Sequence, residues 1–162
     1  KYVTTIIRAL NYIIKFPNLK LIVVGDGPSK SRLVEISEKI GVAEKVIFVG
    51  NQSNPYPWIK NADLLILSSK FEGLPTVLVE ALILNIPIIS SDCKTGPNEI
   101  LQKGELGMLF PVGDHILLAK KIEQMLSSTK LRDEFIGKYE QSLNRFSGES
   151  ILAIFRRMTD ET

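Results

Sequence analysis

A chain of 162 residues suits one domain, and at that length roughly two-thirds of the unfolded surface can be buried. Apolar residues at 44% and charged residues at 23% give an ordinary globular balance, and a net charge of +2 with Lys and Arg scattered excludes the basic stripe that nucleic-acid binding needs. The single cysteine, Cys93, excludes an internal disulfide and a cysteine-based zinc site and fits a reducing compartment; the first residues do not read as a signal peptide, and no apolar run of about 18 residues exists to span a membrane.

The chain starts at Lys1, directly before a helical pattern, and reads as a fragment of a longer protein. Val3, Ile6, Ile7, Leu10 and Ile14 recur at helical spacing, so the first element is an amphipathic helix. Residues 19–24 (LKLIVV) follow as a buried strand that ends at Gly25-Asp26-Gly27-Pro28. Pro28 and Ser29 open a second helix to about Ile40, and Gly41 stops it. Residues 46–49 (VIFV) are a short strand, followed by a polar, Pro-rich turn at 51–57 and a short helix at 58–61. Residues 64–67 (LLIL) are the next strand, and the helix at 75–84 ends near Asn85. Residues 86–90 (IPIIS) form another strand, 97–101 a short helix and 107–110 (GMLF) the last strand. Asp114 caps a helix to about Leu126, and two more helices take residues 130–143 and 149–158.

Strands alternate with helices throughout, and the strands are continuous apolar runs, as expected when both faces are covered. The pattern predicts an α/β fold with a doubly wound, Rossmann-like parallel sheet. Ligands of such sheets bind beyond the carboxyl ends of the strands. Gly25-Asp26-Gly27, residues 68–75 and residues 91–99 all fall at that edge, so three loops are expected to face one crevice. In the second loop, FEGLPTVLVEAL at 71–82 sets Glu72 and Glu80 on either side of seven residues. Glu72 precedes a Gly-Leu-Pro-Thr turn, and Glu80 lies about one turn into the helix that the turn starts. A helix N-terminus, with unpaired N–H groups and a partial positive charge, is a ready anion site. Carboxylates flanking it suit the hydroxyls of a phosphorylated ligand, which points to a nucleotide-sugar.

These residues closely resemble the signature of glycosyltransferase family 4, retaining enzymes of the GT-B fold in which two Rossmann-like domains face a cleft. The resemblance runs over nearly the whole chain. GDGP at 25–28 looks like the family's loop after its second strand, and VIFVG at 46–50 like its third strand. Gly96-Pro97-Asn98-Glu99 and Gly107…Gly113-Asp114 match later loops. Residues 145–151 (RFSGESI) resemble the start of the final helix, with Gly148 where Trp is frequent. The run at 91–101 (SDCKTGPNEIL) is similar to bacterial members that build surface polysaccharides and lipid-linked oligosaccharides.

The resemblance implies roles. Glu80 would hydrogen-bond the ribose of the nucleotide. Glu72 would contact donor-sugar hydroxyls or stabilise charge at the anomeric carbon. Backbone N–H groups of Leu74, Thr76 and Val77, in the turn completed by Pro75, would meet phosphate or sugar oxygens, and Gly73 leaves room for a sugar ring. The base would lie near residues 49–53, on the backbone around Gly50. Lys1 aligns with the lysine that opens the family's first helix and binds the diphosphate; a frayed terminal lysine is the other reading. The family's diphosphate-binding Arg and its first strand would then lie upstream.

Other residues stay open. Gly25-Asp26-Gly27 lets a backbone approach the diphosphate or sugar, and a plain strand-to-helix turn explains the same letters. Asn98 and Glu99 sit near the donor or serve as caps. Glu80 as a helix-surface residue and Glu72 as a cap are the bland readings of the pair. Trp58 stacks on the base or anchors its loop. His115 reads as solvated surface, and Cys93 as a small buried residue rather than a nucleophile. There is no Asp-x-Asp pair, so neither a metal nor a cofactor is expected.

The implied protein is the C-terminal, donor-binding domain of a retaining transferase. It would move a hexose-type sugar from a UDP-sugar to a glycan or lipid-linked acceptor. Residues 145–162 would pack toward the protein's own N-terminal domain. Work in the cytoplasm is expected, at the inner face of the membrane through peripheral association of the missing half. The alternatives are another GT-B enzyme, such as a nucleotide-sugar epimerase or a phosphorylase relative, and a non-catalytic nucleotide-binding or regulatory α/β module.

Overall fold

The computed structural model describes residues 2–93, 95–146 and 148–149. Strand β1 (Leu21–Val24) pairs with β2 (Val46–Gly50), and β3 (Leu65–Leu67), β4 (Ile88–Ser91) and β5 (Met108–Phe110) pair in that order. Every one of these pairings is parallel. Parallel neighbours need crossovers, and helices supply them. Helix α1 (Val3–Leu10) leads into β1, α2 (Lys30–Lys39) joins β1 to β2, and α3 (Tyr56–Lys60) joins β2 to β3. Helices α4 (Thr76–Ile83) and α5 (Pro97–Ile100) flank β4, and α6 (His115–Ser127), α7 (Thr129–Ile136) and α8 (Tyr139–Leu143) follow β5. The α/β class with parallel sheets is as the sequence predicts.

The core is organised by β4, which is buried along its whole length. Ile88 and Ile89 are both 0% exposed, and successive strand residues point to opposite faces. Ile88 enters a cluster with Tyr56, Ile59, Leu78, Leu82, Ile100 and Tyr139. Ile89 enters a second cluster with Ile6, Ile7, Leu10, Leu118 and Ile122. Each such fully buried aliphatic side chain contributes about 1.5–3 kcal/mol relative to exposure. Burial on both faces is what a central parallel strand requires.

Two findings depart from the sequence expectation. The strands form two sheets rather than one: β1 and β3 each have a single named neighbour among the described residues. The β1–β2 pair is also covered on one face only, since Ile22, Val24 and Ile47 are exposed at 38–42% while Leu21 and Phe48 pack into the second cluster. An apolar run therefore did not signify two covered faces here. Ahead of α1, the Tyr2 N–H donates to the Ser68 carbonyl, and the Ser68 hydroxyl donates back to the Tyr2 carbonyl at 2.9 Å. The chain is thus tied to the carboxyl end of β3 before α1 begins.

Local chemistry sets the boundaries. β4 starts at Ile88 rather than residue 86 because Pro87 has no N–H to give to the ladder. Asn85 ends α4 at φ 57°, a left-handed conformation that Asn tolerates. Asp114 caps α6 as expected, its carboxylate accepting from the Leu117 N–H at 2.9 Å. The single helix expected at 130–143 is two, α7 and α8, parted at Gly137-Lys138, where Gly is a poor helix former. The expected helix at 149–158 falls almost wholly outside the described residues, as does most of the 145–162 region.

Two substitutions test this packing. The Tyr139 hydroxyl is buried with no hydrogen-bond partner among the described residues, and burial pushes its pKa up. Tyr139→Phe should therefore be neutral or stabilising, by up to about 1–3 kcal/mol in urea unfolding, and a clear loss would show that the hydroxyl is satisfied. Gly107 passes close against β4, where an added Cβ would stand 2.7 Å from the Ile88 carbonyl oxygen. Gly107→Ala should cost about 1–3 kcal/mol, and an unchanged midpoint would contradict the close approach.

Candidate functional site

The carboxyl edge of β3 and β4 is built by serines. The β3–β4 ladder ends with Leu67 opposite Ser90. One step beyond, the Ser91 hydroxyl accepts from the Ser69 N–H at 2.8 Å and donates to the Ser69 carbonyl at 2.7 Å. A side chain thereby continues the pairing that the backbone has stopped making. Ser69 and Ser91 are 2% and 1% exposed. Ser91 is itself held in the sheet opposite Phe110 of β5.

From this fixed point the loop turns into α4. The Ser69 hydroxyl donates to Glu72 Oε1 at 2.6 Å. The Thr95 hydroxyl donates to the backbone carbonyl of Glu72. Gly96, at φ 81°, lies so close that a Cβ there would stand 2.7 Å from Pro75 Cδ and nearer still to the Gly73 carbonyl oxygen. The loops after β3 and β4 are therefore interlocked. Pro75 is the N-cap of α4, and no side chain caps the helix. Its first N–H groups, beginning at Thr76 and Val77, face the carboxyl edge with the positive end of the helix dipole.

The two carboxylates occupy unlike places. Glu72 is half-buried in the loop and is not a helix cap. Glu80 is 7% exposed within α4, among Leu78, Val79, Ala81 and Leu82, so it is no surface residue. Leu74 and Phe71 are exposed at 67% and 75%, and Gly73 is exposed beside them. Asn98 does not cap α5: its amide donates to Asp92 Oδ1 at 2.6 Å. Lys1 lies outside the described residues.

Gly25, Asp26, Gly27 and Gly50 form a separate group. The Gly25 N–H donates to the Gly50 carbonyl at 2.7 Å, with both glycines at positive φ, 110° and 71°. The β1–β2 register slips there, pairing Val24 with Gly50. The Asp26 N–H donates to the Asn51 side chain, the Asp26 carboxylate accepts from the Gly27 N–H, and Lys30 Nζ stands 3.9 Å from it. These are the contacts of a strand-to-helix turn. Among the described residues no hydrogen bond links this group to Glu72 and its serines.

Trp58 anchors its loop, donating to Gln52, which in turn donates to the Val49 carbonyl. His115 is half-buried with its ring 5.5 Å from Tyr12, which corrects its reading as solvated surface. Cys93 is buried. Among the described residues no group of three His, Cys, Asp or Glu side chains stands together, and no helix is long and apolar enough to cross a membrane. The sequence reading missed Ser69, Ser91, Thr95 and Asn51. The signal for the first two was present, as paired serines closing two otherwise apolar strands at 68–69 and 90–91.

Comparison with known proteins follows the same lines. The family model described as glycosyl transferases group 1 matches residues 1–141. An uncharacterized glycosyltransferase of Methanocaldococcus jannaschii is 48% identical over 87 residues, covering 54% of this chain and 21% of its own. The amylovoran biosynthesis glycosyltransferase AmsD of Erwinia amylovora is 32% identical over 133 residues, covering 82% of this chain and 37% of its own. A TarM mutant of S. aureus, crystallised with fondaparinux, α-GlcNAc-glycerol and UDP, superposes with a TM-score of 0.84 at 24% identity. That match covers 98% of this chain and 33% of TarM, and it shows a shared fold. The chain thus spans between a fifth and two-fifths of the length of these relatives. By the match over residues 1–141, the chain belongs to the glycosyl transferases group 1 family.

Proposed function

We propose that this chain is the C-terminal, donor-binding domain of a retaining GT-B glycosyltransferase of family 4, using a UDP-sugar. The observation that carries this reading is the setting of Glu72 and Glu80 around the uncapped N-terminus of α4: one is fixed in the loop by Ser69, the other is buried in the helix. A carboxylate accepts hydrogen bonds from hydroxyls, and a ribose offers a vicinal pair of them. Glu80 would hold the ribose, and Glu72 the donor-sugar hydroxyls. The N–H groups at Leu74, Thr76 and Val77 would receive diphosphate or sugar oxygens. UDP in the TarM structure favours the uridine donor.

On this reading the anomeric carbon gives up its bond to the diphosphate oxygen and gains one to the oxygen of an acceptor hydroxyl, whose proton passes to the departing diphosphate, with retained configuration. The positive end of α4, Lys1 and an upstream Arg would stabilise the departing diphosphate without a metal. The acceptor would be a glycan or a lipid-linked glycan, in keeping with the amylovoran biosynthesis relative, and the enzyme would work in the cytoplasm at the inner face of the membrane. Gly25, Asp26, Gly27, Gly50 and Asn98 would line the same crevice. An N-terminal domain would supply most of the acceptor contacts. The two-part sheet supports an upstream first strand lying between β1 and β3, since Tyr2 already pairs with Ser68 at the end of β3.

Two measurements test the reading. UDP at a hundred times its Kd should stabilise the protein by about 2.7 kcal/mol in a thermal-shift assay, and the shift should vanish in Glu80→Ala. No response to UDP, GDP, ADP or their sugars would overturn the donor-site assignment. Residues 1–162 by themselves should transfer no sugar, and detectable transfer would refute the need for an N-terminal domain.

A further inference from the structure

We infer that Ser69, locked by Ser91, is a positioning residue that fixes the carboxylate of Glu72 for the donor sugar. The inference rests on the proposed role of Glu72. A glutamate in a loop has three side-chain torsions, and a half-exposed one samples many rotamers. Here its freedom is removed from two sides. Thr95 holds the Glu72 carbonyl, and the Ser69 hydroxyl donates to Oε1 at 2.6 Å. A hydrogen bond to an ionised carboxylate is among the stronger kinds, and a serine hydroxyl has one proton to give. That proton is committed to Glu72. Among the described residues no hydrogen bond reaches Oε2, so this oxygen is left to face a ligand.

The donor is as rigid as its task needs. A surface serine would rotate and drift with its backbone, but Ser69 is 2% exposed and its N–H and carbonyl are both bonded to one hydroxyl, that of Ser91. Ser91 sits in the ladder opposite Phe110. The position of Glu72 Oε1 is therefore referred, through two short side chains, to the centre of the β3–β4–β5 sheet. Ser69 touches no reacting atom on this account; it acts through Glu72.

The test uses the complete polypeptide that carries this domain. Binding is probed with UDP, which lacks the sugar, and turnover is followed as UDP release from UDP-glucose, UDP-galactose or their N-acetylated forms. Ser69→Ala should leave the Kd for UDP within about twofold and lower kcat/KM for the UDP-sugar about tenfold or more, because a misplaced contact acts on the sugar and not on the nucleotide. Ser69→Thr, which keeps the hydroxyl, should recover most of the loss. Wild-type turnover in Ser69→Ala, or a parallel loss of UDP affinity, would overturn the inference. Glu72→Ala separates the two levels. If it turns over normally, the reading of Glu72 fails and this inference with it. If it is inactive while Ser69→Ala is normal, this inference alone fails.

Discussion

A single hydroxyl, that of Ser91, holds Ser69 by both its backbone groups at the point where β3 and β4 stop pairing. Parallel strands diverge once their ladder ends, and the loops that follow are ordinarily free to wander. Here the divergence is postponed by a side chain that mimics a strand. Glu72 is held through Ser69, and Thr95 and Gly96 brace the same turn from the β4 side. Because α4 begins directly after that turn, the direction of its N-terminus follows from the same bond. A precise site can thus be carried on loops when the loops are tied to a buried sheet.

The second constraint is the burial of Glu80. A carboxylate inside an apolar helix lowers stability unless polar partners meet it, so Glu80 at 7% exposure is a polar position that the packing of α4 has to accommodate. The helix offsets this through Leu78, Ala81 and Leu82, each fully buried against the β4 side of the core. Along α4 the apolar residues thus stand on either side of one buried acid.

Much of this was legible in the letters. The alternation of strands and helices pointed to the class, and the interval between Glu72 and Glu80 pointed to a loop that Ser69, Thr95 and Gly96 brace. Asp114 as a cap followed from its place before an apolar-periodic run. Three things were hidden. The split of the strands into two sheets depends on which edges find neighbours, and local composition does not record that. The open face of β1–β2 was masked because Ile22, Val24 and Ile47 look like core residues. The Ser69–Ser91 pair was masked because serine at a strand end reads as punctuation until its tertiary partner is known. Asp26 shows a mixture: its carboxylate makes the local contacts of a turn, with the Gly27 N–H and Lys30, while its N–H reaches across to Asn51 beyond β2.

The division of the strands also bears on how evenly the molecule is held. β4 is shielded on both faces, whereas β1 has alternate residues open to solvent. Opening free energies follow such differences in buried contact, and regions with fewer of them open first. The β3–β5 sheet is therefore expected to exchange its amides more slowly than the β1–β2 pair, which meets it through the shared cluster of Leu21, Val46 and Phe48 with Ile66 and Ile89. Slow amide exchange would concentrate under Glu72 and Glu80, and the Gly25–Gly50 turn would breathe.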